Sequence, residues 1–207
     1  MYSASVRTPQ QSRSSTSADR MLEATLRLLT EGGLGAVTVA AVAASAETSN
    51  GSLYHRFGDR HGLLLAAQTR AFELIATETT TAFGRADDAL AAGADHLDVA
   101  TALTGAAFEI FTRHRGATRA FLIESHADAD HGAVSERFLH GLATTVTDWM
   151  IAHFGATRAG AESAWRILFA LGVSRALLDD DQISAHRLTA DELARTTGRA
   201  ILGALQE

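Results

Sequence analysis

Four small polar residues, Ser49, Asn50, Gly51 and Ser52, open a short segment of helical periodicity inside the run TVAAVAASAETSNGSLYHRFGDRHGL, Thr38 to Leu63. Side chains of this size add little to a core. At the first turn of a helix they suit a major groove, where amides not yet bonded within the helix meet phosphate and short polar groups reach base edges. Asn50 has the donor and acceptor pair that matches adenine, and Gly51 lets the backbone come close to a ligand surface. Tyr54 and His55 follow one turn later, with Arg60 beyond them, where a phosphate backbone would lie. A second cluster, His126, Asp128, Asp130 and His131, holds imidazole and carboxylate ligands of the kind that bind zinc or another divalent ion. It supplies the alternative reading, a metal-dependent sensor or enzyme. Its spacing fits no HExxH pattern, and Asp alternating with Ala beside Gly132 more often marks an exposed interhelical loop. No metal and no cofactor are therefore assigned.

Other chemistries lack their residues. The chain has no Cys, which removes disulfides, thiolate nucleophiles and Cys-ligated zinc. All 18 basic residues are Arg, so a phosphate loop that needs Lys is excluded. There is no GxSxG elbow and no dinucleotide fingerprint after a strand. No catalytic residue is expected, and the reading is that of a non-enzyme.

The elements that must position these residues are helices, since apolar residues recur at helical spacing and strand-like alternation is absent. The spacing predicts a polar arm over 1–17, holding Arg7 and Arg13 as candidates for a minor groove. A helix is expected over 18–31, ended by Gly32 and Gly33. A second runs over 39–46 with Thr38 as its cap, a third begins at Thr48 or Ser49 and stops before Gly58, and a fourth spans 60–83. After a linker at 85–93, helices are expected over 95–114, 117–127, 132–154, 158–178 and 189–205. Gly116, Gly132, Gly155 and the run Asp179, Asp180, Asp181 supply the breaks.

Thr38, Val39, Ala43, Ala44, Ser49, Gly51, Ser52, Leu53, Tyr54, His55, Phe57, Gly58 and Leu63 together resemble the helix-turn-helix signature of TetR-type transcriptional regulators, above all its GxLYxxF core. The resemblance covers about residues 18 to 65. It implies an all-α protein with an N-terminal three-helix helix-turn-helix head (18–65) and a C-terminal helical bundle (66–207) that binds a ligand and dimerises. It further implies a repressor, cytoplasmic and not bound to membrane, whose partners are a double-stranded palindromic operator, a second copy of the chain and a small-molecule inducer. Thr38, Ser49, Asn50, Gly51, Ser52, Tyr54, His55 and Arg60 become its DNA-binding residues, with Leu53 and Phe57 in the core. Three positions depart from the pattern: Glu47 stands where a turn glycine is usual, Thr48 where an aliphatic is common, and Asn50 where lysine is frequent. A left-handed Glu47 would cost on the order of 1 kcal/mol.

In the larger C-terminal part, Phe108, Phe111, Phe121, Phe138, Leu142, Trp149 and Phe169 are the candidates to line a ligand pocket, with Glu124, His126 and His140 as polar groups. The set points to an apolar or aromatic ligand. Stripes on the last two helices, Ala161, Ala164, Trp165, Leu168, Leu171 and Gly172, then Leu193, Thr197, Ala200, Ile201, Ala204 and Leu205, suit a four-helix dimer interface. Packing within one chain shares part of that signal.

The net charge of −6 speaks against a protein that coats nucleic acid. Its distribution qualifies this. Residues 1–60 hold six Arg against five carboxylates, whereas 61–207 hold twelve against nineteen. The acid belongs to the C-terminal part, which leaves a few groups in the N-terminal part to meet phosphate.

Overall fold

The computed structural model describes residues 10–125 and 127–206, and among these there is no strand. Contacts divide the chain into two units, Met1–Arg70 and Ala71–Glu207. The division falls inside one continuous helix.

The first unit holds α1 (Gln10–Ala36), α2 (Val39–Ser45), α3 (Asn50–Phe57) and the start of α4 (Arg60–Ala91). The Ser-rich segment expected as an arm is helical from Gln10, so Arg13 falls within α1, while Arg7 lies outside the described residues. Gly33 breaks α1 with φ 66° and ψ −164°, as the Gly32–Gly33 pair predicts, and one further turn carries the chain to Ala36. Thr38 then fixes the start of α2: its backbone is extended and its Oγ1 accepts the Ala41 N–H at 3.1 Å. Such a cap contributes about 1 kcal/mol.

Helix α2 ends in a left-handed turn. The Thr48 N–H donates to the Ala43 carbonyl (2.9 Å) and the Glu47 N–H to that of Ala44 (3.2 Å), with Glu47 at φ 52°. This is the bonding of a Schellman cap, which favours glycine at the residue occupied here by Glu47. Ser49 caps α3 by accepting the Ser52 N–H at 3.1 Å, and Gly58, at φ 79°, closes it. Met21, Ala24, Leu29, Val37, Val42, Leu53 and Leu63 are all buried and make up the centre of this unit. Each large aliphatic among them adds about 1.5–3 kcal/mol on leaving water.

The second unit continues α4 and adds α5 (His96–Arg113), α6 (Arg115–Ala117), a π segment (Thr118–Glu124), α7 (Ala129–Phe154), α8 (Arg158–Leu177), α9 (Asp180–Ile183) and α10 (Ala190–Leu205). Three expectations need correction. The linker placed at 85–93 is largely helical, because its Ala, Arg and Asp continue α4 to Ala91. Gly132 does not break the chain: the Asp128 carboxylate accepts the N–H groups of Asp130 and His131, both at 3.1 Å, and starts α7 ahead of the glycine. The helix expected over 117–127 is instead a short α turn followed by the π segment, whose wider winding shows in the Ser125 N–H bonded to the Ala120 carbonyl five residues earlier at 2.8 Å.

Helices α5, α8 and α10 pack on one another, and α7 packs on α8. Glycines set the spacing. A Cβ on Gly198 would stand 3.0 Å from the Thr101 backbone nitrogen, and one on Gly160 would stand 2.7 Å from the Ala204 carbonyl oxygen.

Candidate functional site

Within the first unit, the N-terminal turn of α3 is a polar surface. Asn50, Gly51 and Ser52 are exposed, as are Ser49 and His55, and Tyr54 is 51% exposed. The Ser49 hydroxyl uses its oxygen to cap the helix, which leaves its O–H free to donate outward. Leu53, on the opposite face, is fully buried, so the helix is held by one side and presents the other. Phe57 is half-buried. Thr38 is exposed, and its oxygen too is used as a cap.

Arg60 is placed differently from expectation. Its Nε donates to the Val37 carbonyl and its guanidinium NH2 to the Leu34 carbonyl, both at 2.6 Å. Those carbonyls lie where α1 ends, and that of Leu34 also accepts the Val37 N–H at 3.3 Å. Arg60 therefore closes the turn between α1 and α2, with part of its fork already used inside the chain. Asp59 begins α4 by accepting the Gly62 N–H at 2.8 Å.

Residues 21–67 match the family of bacterial regulatory proteins described as the tetR family. The N-terminal unit is thus similar to the TetR family. The chain is 39% identical over 70 residues to proteins from Burkholderia mallei and Burkholderia pseudomallei described as HTH-type transcriptional regulator BetI. That match spans 34% of this chain and 36% of those relatives. The whole TetR-like fold is nonetheless shared with solved structures. A transcriptional regulator from Rhodococcus sp. Rha1 superposes with a TM-score of 0.69 at 19% identity, over 91% of this chain and 95% of that one. The fatty acid degradation regulator FadR from Bacillus halodurans gives 0.66 at 14% identity, over 89% and 97%. The TetR signature and its neighbours thus agree on an all-α fold with an N-terminal helix-turn-helix. Among the described residues no helix is long and apolar enough to cross a membrane.

The second unit of this TetR-like chain encloses a cavity of about 80 Å³ between α4, α5, the π segment, α7 and α8. Phe111, Phe138, Leu142, Trp149 and Phe169 line it, as the sequence suggests. Phe108 and Phe121 do not. Phe108 is buried in the core against α8 and α10, with the Arg175 guanidinium carbon 5.3 Å from its ring centre, and Phe121 is buried edge-on to Phe72 at 6.5 Å and stacked on His131 at 5.7 Å. Glu124 and His140 point to solvent and give the cavity no polar group, and His126 lies outside the described residues. Asp128 serves as the cap of α7, Asp130 is exposed, and the His131 ring is buried on Phe121.

The wall also contains residues the sequence reading assigned elsewhere. Trp165 and Leu168, taken as dimer contacts, face the cavity. Gly172 lies under the Phe111 ring, where a Cβ would stand 2.2 Å from two ring carbons. Thr197 and Ile201 are buried, and Leu193 and Ala204 pack on the same core. A helical stripe faces one way, and this one is used by packing inside the chain. Leu171 (39% exposed) and Ala200 remain on the surface, joined by Ile167 (39%), which the pattern missed because it falls outside the apolar stripe. Phe83 was missed as well. It stacks on Trp149 with ring centres 5.0 Å apart, and the signal was available in the continuation of the α4 period past Ile75.

Proposed function

We propose that this protein is a ligand-responsive transcriptional repressor that binds a palindromic operator as a dimer and leaves it when a small molecule enters the cavity of the second unit. One observation carries the reading: a helix held by a buried Leu53 offers Ser49, Asn50, Gly51, Ser52, Tyr54 and His55 outward, inside a stretch that matches the TetR family. Asn50 reads a base edge, Ser49 and Ser52 meet bases or phosphate, and Tyr54, His55 and Thr38 contact the backbone. Arg60 supports the site from behind through its hold on Leu34 and Val37. A protein with this role works in the cytoplasm. Its dimer contact uses the faces of α8 and α10 that packing leaves open, with Ile167, Leu171 and Ala200 among them. Two recognition helices would then meet half-sites about 34–36 Å apart or slightly more.

The test is selection of bound duplexes from a random pool, followed by variants on the selected site. Asn50→Ala is expected to relax preference at one base pair, a loss of about 1–3 kcal/mol in discrimination. Tyr54→Ala should weaken binding to all sequences alike. If no sequence is enriched, or if Asn50→Ala weakens selected and random DNA equally, the reading is wrong.

A further inference from the structure

The cavity wall contains four side chains with a polar atom, Thr79, Thr118, Trp149 and the half-buried Trp165, and no charged one. Two of the four are already committed. The Thr79 hydroxyl donates to the Ile75 carbonyl at 2.8 Å, and the Trp149 indole N–H donates to Asp87 Oδ1 at 2.8 Å. Thr118 is different. It is 2% exposed, and among the described residues no partner takes its hydroxyl. Elsewhere in this chain helical threonines bond the carbonyl four residues earlier, as Thr25, Thr104 and Thr144 do at 2.7–2.9 Å. Thr118 stands at the start of the π segment, where that bond is not made. The Thr118 hydroxyl faces the cavity and is left to bond whatever enters it.

We infer that the cavity takes a neutral aromatic compound bearing one oxygen, a phenol or an aryl ketone, and that the Thr118 hydroxyl is its specificity-determining contact. The class follows from the wall. Phe83, Phe111, Phe138, Trp149, Trp165 and Phe169 give ring faces on several sides, which favours a flat apolar body. A carboxylate or ammonium group would be buried with no opposite charge, which such a wall penalises heavily. The Thr118 hydroxyl, on a side chain buried far more fully than that of Trp165, supplies one hydrogen bond, so the ligand carries one matching group. By volume the cavity suits one small ring, since about 10–15 Å³ already admits a water molecule. The inference rests on the proposed ligand response only for its link to DNA. The binding chemistry stands by itself.

Two tryptophans in the wall make the test direct. The full chain, without DNA, is titrated with p-cresol, toluene, benzoate and benzylamine while Trp149 and Trp165 fluorescence is followed. p-Cresol is expected to bind, toluene about ten-fold more weakly, and the two charged compounds at least a hundred-fold more weakly. Thr118→Val should bring p-cresol down to the level of toluene and leave toluene within two-fold, and Thr118→Ser should recover most of the difference. A melting temperature for Thr118→Val at or above the parent's confirms that the hydroxyl had no partner to lose. Benzoate or benzylamine binding as tightly as p-cresol would overturn the inference, as would a Thr118→Val variant that binds p-cresol like the parent, or no fluorescence response to any of the four. If p-cresol binds through Thr118 and the selected DNA is not released, the cavity chemistry holds and the proposed repressor mechanism fails.

Discussion

Replacing Glu47 by glycine should stabilise the protein. Glu47 is the only non-glycine residue at positive φ among the described residues, and it closes α2 at the position where a Schellman turn needs the left-handed conformation. An L-residue with a Cβ costs about 1–2 kcal/mol there. Glycine relieves that and loses about 0.4–1 kcal/mol through the greater freedom of the unfolded chain. The net gain is about 0.5–1 kcal/mol, or about 1–4 °C in melting temperature for a chain of this length. Urea unfolding at neutral pH measures it, and three more variants separate conformation from charge. Glu47→Ala keeps the Cβ and should gain nothing, Glu47→Asn should fall between because asparagine tolerates the left-handed region, and Glu47→Gln removes only the charge. On DNA the order changes. Both Gln and Gly remove a carboxylate beside the recognition helix, so both should tighten operator binding at low salt, with the gain fading as salt rises. A Glu47→Gly protein no more stable than Glu47→Ala, or a gain shared by Glu47→Gln, would refute the conformational account.

Two other outcomes follow from particular bonds. Arg60→Ala removes both donors to the Leu34 and Val37 carbonyls and should lower unfolding stability by about 2 kcal/mol, with Arg60→Lys recovering less than half because one ammonium lacks the fork. Urea midpoints check this, and an Arg60→Ala midpoint equal to the parent's would return Arg60 to a purely DNA-contacting role. At the start of α10 the Glu192 carboxylate accepts the Thr189 N–H and hydroxyl, both at 2.8 Å, and these bonds, the backbone one first, hold its pKa below the usual carboxylate value. The lowered value means that the capping box contributes above that ordinary range and is lost as pH falls through the lowered one. Carboxyl NMR titration should find Glu192 moved up in Thr189→Ala, with faster amide exchange in the first turn of α10 on acidification.

Capping residues were the most legible part of the fold. Thr38 announces its helix by its position before an apolar run, and the GxLYxxF core fixes α3 with Leu53 inward and Tyr54 outward. Less could be read where the cause lies elsewhere in the structure. The π segment has no pattern of its own, since its winding is set by where its neighbours hold it: Arg119 donates to the Leu177 carbonyl at 2.9 Å and Ser135 to the Phe121 carbonyl at 3.0 Å. Arg60 read as a free cation because the carbonyls that engage it are more than twenty residues away in the chain. Trp165 and Leu168 were placed on the right face of α8, but periodicity gives a face without naming its occupant. The same limit applied to the pocket: its aromatic character was evident from composition, while the uncommitted hydroxyl of Thr118 became visible only with coordinates.

The glycines of the second unit decide where it can give. At Gly160 and Gly198 two helix backbones approach so closely that no methyl group fits, and at Gly172 the Phe111 ring fills the space against α8. Contacts made through backbone cannot slide or repack as long side chains do, so α5, α8 and α10 behave as a fixed frame. On the proposed ligand response, admission of a guest would be accommodated on the other side of the chamber, by α4, the π segment and α7. These are the elements that contribute Phe83, Thr118 and Trp149. The hydroxyl proposed to recognise the guest thus lies on the part of the wall that would move for it.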